Sequence, residues 1–123
     1  MERIKKIDWQ NLKHEYGVDG QRLLPWGDAE FPFPFGGAYC ITKAHTSSLE
    51  HVNEPSDEEE MFIVISGKAF VHLGKEKKKI EQGDIVYIPA GVSHFVENPN
   101  SEDCHFYALW WNRQIVEGFQ QDK

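Results

Sequence analysis

Residues Gly83–Asn98 read GDIVYIPAGVSHFVEN, and this stretch decides the fold. Its opening Gly-Asp pair suits a tight turn, and Ile85–Ile88 has the β-branched, apolar composition of a strand. The Pro-Ala-Gly that follows turns the chain back, and His94 then lies among apolar residues in the middle of a return strand. Taken alone, this is a β-hairpin that places an imidazole on a sheet. A lone histidine there is more often a hydrogen-bonded core residue than a metal ligand.

The rest of the chain from residue 38 onward has the same pattern of short strand-like runs separated by turns. Short apolar or β-branched runs alternate with breaks that carry Gly, Pro, Asn or Lys. Such spacing, with no long helix between the runs, predicts a sandwich or a barrel. The predicted strands cover residues 38–43, 47–52, 60–66, 68–73, 77–81, 84–88, 92–97 and 104–111.

The hairpin resembles the second conserved motif of the cupin superfamily, G(x)5PxG(x)2H(x)3N. It matches at every fixed position, namely Gly83, Pro89, Gly91, His94 and Asn98. The resemblance implies an all-β fold, the cupin double-stranded β-helix or jelly-roll barrel, here with an N-terminal arm and a short C-terminal helix. The histidine of this motif is a metal ligand in cupins, so the resemblance also implies that role for His94.

The first cupin motif, G(x)5HxH(x)3–4E(x)6G, is present in altered form. Glu60 keeps its spacing to the closing glycine, and His51 takes the place of the first histidine. His45 stands where the leading glycine is expected, and Asn53 replaces the second histidine. The gap between Asn53 and Glu60 is two residues longer than the motif allows and is filled by an acidic segment, predicted to be a surface loop.

The resemblance therefore implies a site for one divalent metal ion, held by His51, Glu60 and His94, with Asn53 or water as a further ligand. Two histidines and one carboxylate are the set of facial-triad sites, which favours iron or manganese, with zinc or nickel as further candidates. A cupin that has lost its metal would show the same alterations. Other side chains remain open as replacement ligands: His45, His72 and His105, and the rival carboxylates Glu58 and Glu59.

The ends of the chain are predicted to pack on one barrel. Residues 1–37 form the arm, residues 38–112 the barrel and residues 113–123 a helical tail that begins after Asn112, a plausible N-cap. Trp9, Leu12 and Tyr16 recur at helical spacing after Asp8, which predicts a short N-terminal helix. The alternating prolines in residues 31–35 favour an extended arm or edge.

Composition excludes some functions. The net charge of −7 argues against nucleic acid and anionic membrane as partners, since both require a cationic face. The longest apolar runs are too short to cross a bilayer. The two cysteines, Cys40 and Cys104, match no metal or redox pattern and are expected to be inert buried thiols, as in a reducing cytoplasm.

Aromatic residues are the remaining feature. Most are expected in the core or in an interface, and Trp110 and Trp111 must point to opposite faces of their strand. The arm and the outward face of residues 104–111 predict a homodimer. The functional hypothesis is a metal-dependent enzyme, of dioxygenase, isomerase or lyase type, acting on a small molecule in the barrel that chelates the ion through oxygen. The alternative is a non-catalytic cupin that binds a small molecule.

Overall fold

The computed structural model describes residues 3–29 and 32–121. Within these ranges the chain forms a 3-10 turn at Trp9–Asn11, ten strands and one helix. The strands are β1 (Lys13–Glu15), β2 (Val18–Arg22), β3 (Gly36–Thr42), β4 (Thr46–Ser47), β5 (Glu59–Ser66), β6 (Lys68–Leu73), β7 (Glu76–Glu81), β8 (Ile85–Ile88), β9 (His94–Asn98) and β10 (Cys104–Trp111). The helix, α1, spans Arg113–Gln121. None of the helical structure in the described ranges has the length and apolar character needed to span a membrane.

The strands form two antiparallel sheets that face each other. One has six strands in the order β1-β2-β3-β10-β5-β8, and the other has four in the order β4-β9-β6-β7. Burial alternates along β5, β9 and β10, as expected for strands with one face toward a core. The inward residues form one cluster, which includes Cys40, Phe62, Val64, Val71, Ile88, Val96 and Phe106. This double-layer barrel confirms the predicted all-β jelly roll.

Three residues at motif positions have structural roles. The Asn98 side chain donates hydrogen bonds to the carbonyls of Thr42 and Glu102, 3.0 and 2.8 Å away, and so ties β9 to the end of β3. Gly67 has φ +83°, and a Cβ there would lie 2.3 Å from the carbonyl oxygen of Asp103. His45 has φ +60°, the left-handed conformation that explains why the family motif has glycine at this position.

The N-terminal segment differs from the sequence prediction. The helix predicted after Asp8 is wrong: only a 3-10 turn forms, and β1 and β2 follow as a hairpin. Tyr16 and Gly17 both have positive φ, 54° and 79°, as two-residue hairpin loops require. The predicted arm therefore contributes two strands to the six-stranded sheet, because β2 pairs with β3. The strand predicted at 47–52 is also shorter, and only an isolated bridge at His51 continues it.

At the other end of the chain, the helical tail is confirmed. The Asn112 side chain accepts a hydrogen bond from the backbone N–H of Ile115 at 2.9 Å, the expected N-cap contact. The backbone N–H of Arg113 donates to Asp57 at 3.4 Å. The acidic loop that lengthens the first motif is thus docked on the start of α1.

Candidate functional site

A cavity of about 430 Å³ opens between the two sheets. That volume suits a small organic molecule. Inward side chains of β3, β5, β9 and β10 line it, together with the β1–β2 hairpin and the segment from Ser48 to Glu54. All four residues expected to bind the metal lie in its wall: His51, Asn53, Glu60 and His94.

His94 is the most buried of the four, with 1% of its surface exposed. Its Nδ1 lies 2.9 Å from the carbonyl oxygen of Val92 and must carry the proton, because a carbonyl can only accept. Its Nε2 lies 3.2 Å from Oε1 of Glu60, outside hydrogen-bond geometry, and has no hydrogen-bond partner among the described residues. Burial alone would lower the pKa of His94, but Glu60 and the Val92 carbonyl outweigh it and the pKa is raised.

His51 is held beside His94 in the same manner. The two residues exchange both backbone hydrogen bonds, at 3.0 and 3.2 Å, and their ring centroids are 4.5 Å apart. Nδ1 of His51 donates to the carbonyl of Leu49 at 3.0 Å, and the Tyr16 ring packs against the imidazole at 4.7 Å. In both histidines Nδ1 is thus occupied by a backbone carbonyl, which leaves the Nε2 lone pair for another partner in the neutral form.

Glu60 and Asn53 are paired. The Asn53 amide donates to Oε1 of Glu60 at 3.1 Å, and both side chains are buried. The longer loop therefore leaves Asn53 inside the barrel, where it fixes the carboxylate. Within the described ranges, no three His, Cys, Asp or Glu side chains are grouped closely enough to hold a metal ion.

The alternative ligands lie elsewhere, with one exception. His45 is exposed in a turn, His72 stacks on Phe95 and contacts Glu97 at 2.8 Å, and His105 bonds the Tyr39 hydroxyl at 2.6 Å. Glu59 points outward to the Tyr87 hydroxyl and the Trp111 indole.

Glu58 is the exception, since it lines the cavity. Burial raises the pKa of Glu58 to about 7; the carboxylates of Glu60 and Asp57 act in the same direction, and Arg22 and His94 oppose them. Glu58 is therefore a carboxyl group that holds a proton near neutral pH. The sequence had suggested it only as a rival ligand.

The sequence did not predict several of the cavity residues, which include Glu15, Tyr16 and Arg22. These three lie on the β1–β2 hairpin, which hydrophobic periodicity did not reveal. A positive φ at Tyr16 leaves no clear signal in the sequence, since tyrosine is uncommon in that conformation. Trp110 also lines the cavity while Trp111 contacts Glu59 on the outside, so the two indoles point to opposite faces as predicted.

Residues 38–111 match the family model for the cupin domain. The chain belongs to the cupin family. The plu4264 protein of Photorhabdus luminescens is similar over its whole length, with 41% identity, a TM-score of 0.91 and coverage of 99% of this chain and 98% of that one. A cupin 2 conserved barrel domain protein of Salinispora arenicola is 32% identical, with a TM-score of 0.89 and coverage of 100% and 99%.

Some curated relatives are much longer than this cupin. A mannose-1-phosphate guanylyltransferase of Salmonella montevideo is 30% identical over 98 residues, which cover 78% of this chain but 20% of the relative. The chain thus spans only about a fifth of that protein's length.

Proposed function

We propose that this cupin binds one divalent metal ion through His51, Glu60 and His94 and acts on a small molecule that chelates the ion through oxygen atoms. The observation that carries the proposal is the contact between Nε2 of His94 and Oε1 of Glu60. These two atoms lie 3.2 Å apart in a buried position, without a hydrogen bond between them. The lone pair of the His94 imidazole and the negative charge of Glu60 repel each other unless a cation lies between them. That cation is either a proton on the imidazole or a metal ion.

The side chains around this contact fit a metal site. The carbonyls of Leu49 and Val92 fix the tautomer and orientation of both imidazoles, and the Asn53 amide fixes Glu60. Supporting hydrogen bonds of this kind accompany metal-binding histidines and carboxylates. Iron or manganese is favoured by two imidazoles and one carboxylate, with zinc or nickel as further candidates. Such an ion, when bound, would act as a Lewis acid or activate dioxygen.

The cavity walls suit a small polar substrate. Phe62, Val96 and Phe106 give the cavity an apolar wall beside the buried contact, and further charged groups lie on the hairpin and the loop after Asn53. The guanylyltransferase relative is named for a sugar phosphate, a small molecule rich in oxygen. A dioxygenase, isomerase or lyase reaction on a substrate of that type fits this distribution.

Replacing His94 tests the metal proposal. We expect the protein purified without chelators or an affinity tag to carry close to one iron or manganese per chain, measured by elemental analysis. The His94→Ala variant should lose the metal and keep the β-rich circular dichroism of the wild type. Full metal content in that variant would disprove the assignment.

A second candidate is a cupin that binds a small molecule without metal chemistry. It is favoured by the absence of three grouped ligand side chains in the described ranges, and by the asparagine in place of the second motif histidine. In that case the His94 imidazole would carry a proton and form an ion pair with Glu60. A wild-type protein that is folded, free of metal and unable to take up manganese would establish this candidate and exclude the first.

A further inference from the structure

The β1–β2 hairpin forms one wall of the cavity and lies outside residues 38–111, the part that matches the cupin domain. Lys13, Glu15 and Arg22 all border the cavity from this hairpin. Among the described residues that line the cavity, the basic side chains are Lys13 and Arg22. The hairpin thus supplies the permanent positive charge of a cavity whose other charged groups are largely carboxylates.

The Arg22 guanidinium is held in a fixed plane. Its Nε and Nη2 donate to the two oxygens of Glu15, at 3.0 and 3.2 Å, and its centre lies 5.6 Å from the centroid of the Trp110 ring. The hydrogen bond to Glu15 raises the pKa of Arg22, so the group stays charged. An arginine has five N–H donors, and Glu15 engages two of them in the part of the chain that the structure describes. The remaining donors are left for another acceptor.

Arg22 faces the same space as the candidate metal ligands. Trp110, which lies beneath the guanidinium, stands directly opposite Glu60 in the register of β10 and β5. Arg22 and Glu58 also line the same cavity as Glu60 and His94. A molecule in the cavity therefore meets the guanidinium of the hairpin as well as the buried Glu60–His94 contact.

We infer that Arg22 binds an anionic group of the substrate, a carboxylate or a phosphate, that is separate from the oxygens that chelate the metal. Planar guanidinium groups bind such anions with two parallel hydrogen bonds, and the Trp110 ring keeps the plane in place. The inference names a substrate class for the proposed function and rests on it: a small molecule with chelating oxygens and a further anionic group.

A structural role for the Arg22–Glu15 pair would explain less. Both side chains are about half exposed, and exposed ion pairs contribute little to stability. A pair that served only to hold the hairpin would not require the Trp110 ring beneath the guanidinium or a place for Arg22 in the cavity wall.

Matched probes test the inference. Calorimetry measures the binding of two pairs of small molecules to the manganese-loaded protein. The first pair, 2-oxoglutarate and 2-oxovalerate, differs by the distal carboxylate. The second pair, 3-phosphoglycerate and glycerate, differs by the phosphate. We expect the wild type to prefer the anionic member of one pair about tenfold, as a charged hydrogen-bonded contact provides. The pair that shows the preference identifies the anion as carboxylate or phosphate.

Three variants separate binding from structure. Arg22→Gln should abolish the preference for the anionic probe. It should leave unchanged the affinity for the probe that lacks the additional anionic group. Glu15→Gln breaks the same ion pair but keeps the guanidinium, and should increase the preference because the competing carboxylate is gone. Arg113→Gln, a loss of equal charge on α1, should change neither affinity.

Two results would overturn the inference. The first is a wild type that binds no probe, or binds the two members of each pair equally well. The second is an Arg22→Gln variant in which the affinities for both members of a pair fall by the same factor. The titrations are repeated on metal-free protein, where the Arg22-dependent preference should persist. A protein that takes up no metal but keeps this preference would refute the proposed function and leave the anion site standing.

Discussion

At the scale of single residues, the two histidines of the site are oriented by the same kind of backbone hydrogen bond. Each imidazole donates its Nδ1–H to the carbonyl of the residue two positions before it, Leu49 for His51 and Val92 for His94. The backbone conformation thus fixes the tautomer, and no further side chain is needed to orient either ring. The motif spacing predicted His94 and Glu60 at the cavity. It did not predict that Asn53 would act through Glu60, because a hydrogen bond between two side chains leaves no trace in a one-dimensional pattern.

Substitutions of Asn53 distinguish a positioning residue from a ligand. Asn53→Ala removes the amide donor to Glu60 and should weaken manganese binding about 10-fold to 100-fold, the usual cost of losing a supporting hydrogen bond. Asn53→His supplies an additional imidazole and should tighten binding while lowering turnover, because a coordination position becomes closed. Competition with a chelator of known affinity measures the manganese affinity of both variants. Unchanged affinity in the alanine variant would show that the amide does not position Glu60.

The two cysteines are expected to be unreactive in the folded protein. Burial raises the pKa of Cys40 to about 12 and of Cys104 to about 11, so almost no thiolate is present at pH 8. Titration with a disulfide reagent at pH 8 should modify neither thiol in the native state and both in guanidinium chloride. Rapid reaction of one native thiol would contradict this.

At the scale of elements, the strands from β5 to β10 were predictable and the N-terminal hairpin was not. β5 and β10 contain the apolar and β-branched runs Met61–Ile65 and Phe106–Trp111, bounded by breaks, which is the signal that predicted them. β1 and β2 read KHE and VDGQR, and have few apolar residues to show any period. They are strands because β2 pairs with β3 and because the turn residues adopt positive φ, both of which depend on the rest of the fold.

The connection between β5 and β6 offers a test of close packing between elements. Gly67→Ala should lower the free energy of unfolding by about 2–3 kcal/mol, because φ is +83° and the new Cβ would lie 2.3 Å from the Asp103 carbonyl oxygen. Gly74→Ala is the matched control: φ is +58°, but no atom lies within 4 Å of the new Cβ, so the cost should be about 1 kcal/mol. Urea denaturation measures both. Equal losses would mean that the contact with Asp103 adds nothing.

At the scale of the whole molecule, one outer surface stands out. The N-terminal segment covers part of the six-stranded sheet, where Trp9 packs edge-on against Tyr39 at 5.5 Å. Beyond that cover, the outward side chains of β5 and β8 remain exposed: Ile65 at 37%, Ile85 at 64% and Tyr87 at 52%. β5 lies between β8 and β10, and the sequence predicted a dimer interface on β10 together with residues 31–35. Phe31 of that arm lies outside the described residues, so its part stays a prediction.

We propose that this face pairs with its counterpart in a second copy of the chain. A twofold interface brings identical surfaces together, so in a protein of net charge −7 it is most favourable where the surface is uncharged. The three exposed side chains carry no charge, and the Glu59 carboxylate beside them accepts hydrogen bonds from the Tyr87 hydroxyl and the Trp111 indole. Two such faces gain by burying their apolar side chains against each other. The contact is expected to be independent of the cavity, since these side chains point away from it.

Light scattering at micromolar concentration should therefore give twice the monomer mass of 14.3 kDa. Ile85→Glu places a charge on the proposed face, opposite its own copy in the partner, and should yield monomers with unchanged circular dichroism. Leu49→Glu is the control, because Leu49 is equally exposed at 60% but lies on the segment beside His51, away from β8. If the wild type is monomeric, the exposed face is not a dimer interface. If both variants dissociate, the contact lies elsewhere on the molecule, because a specific interface on β5 and β8 would be insensitive to a charge at Leu49.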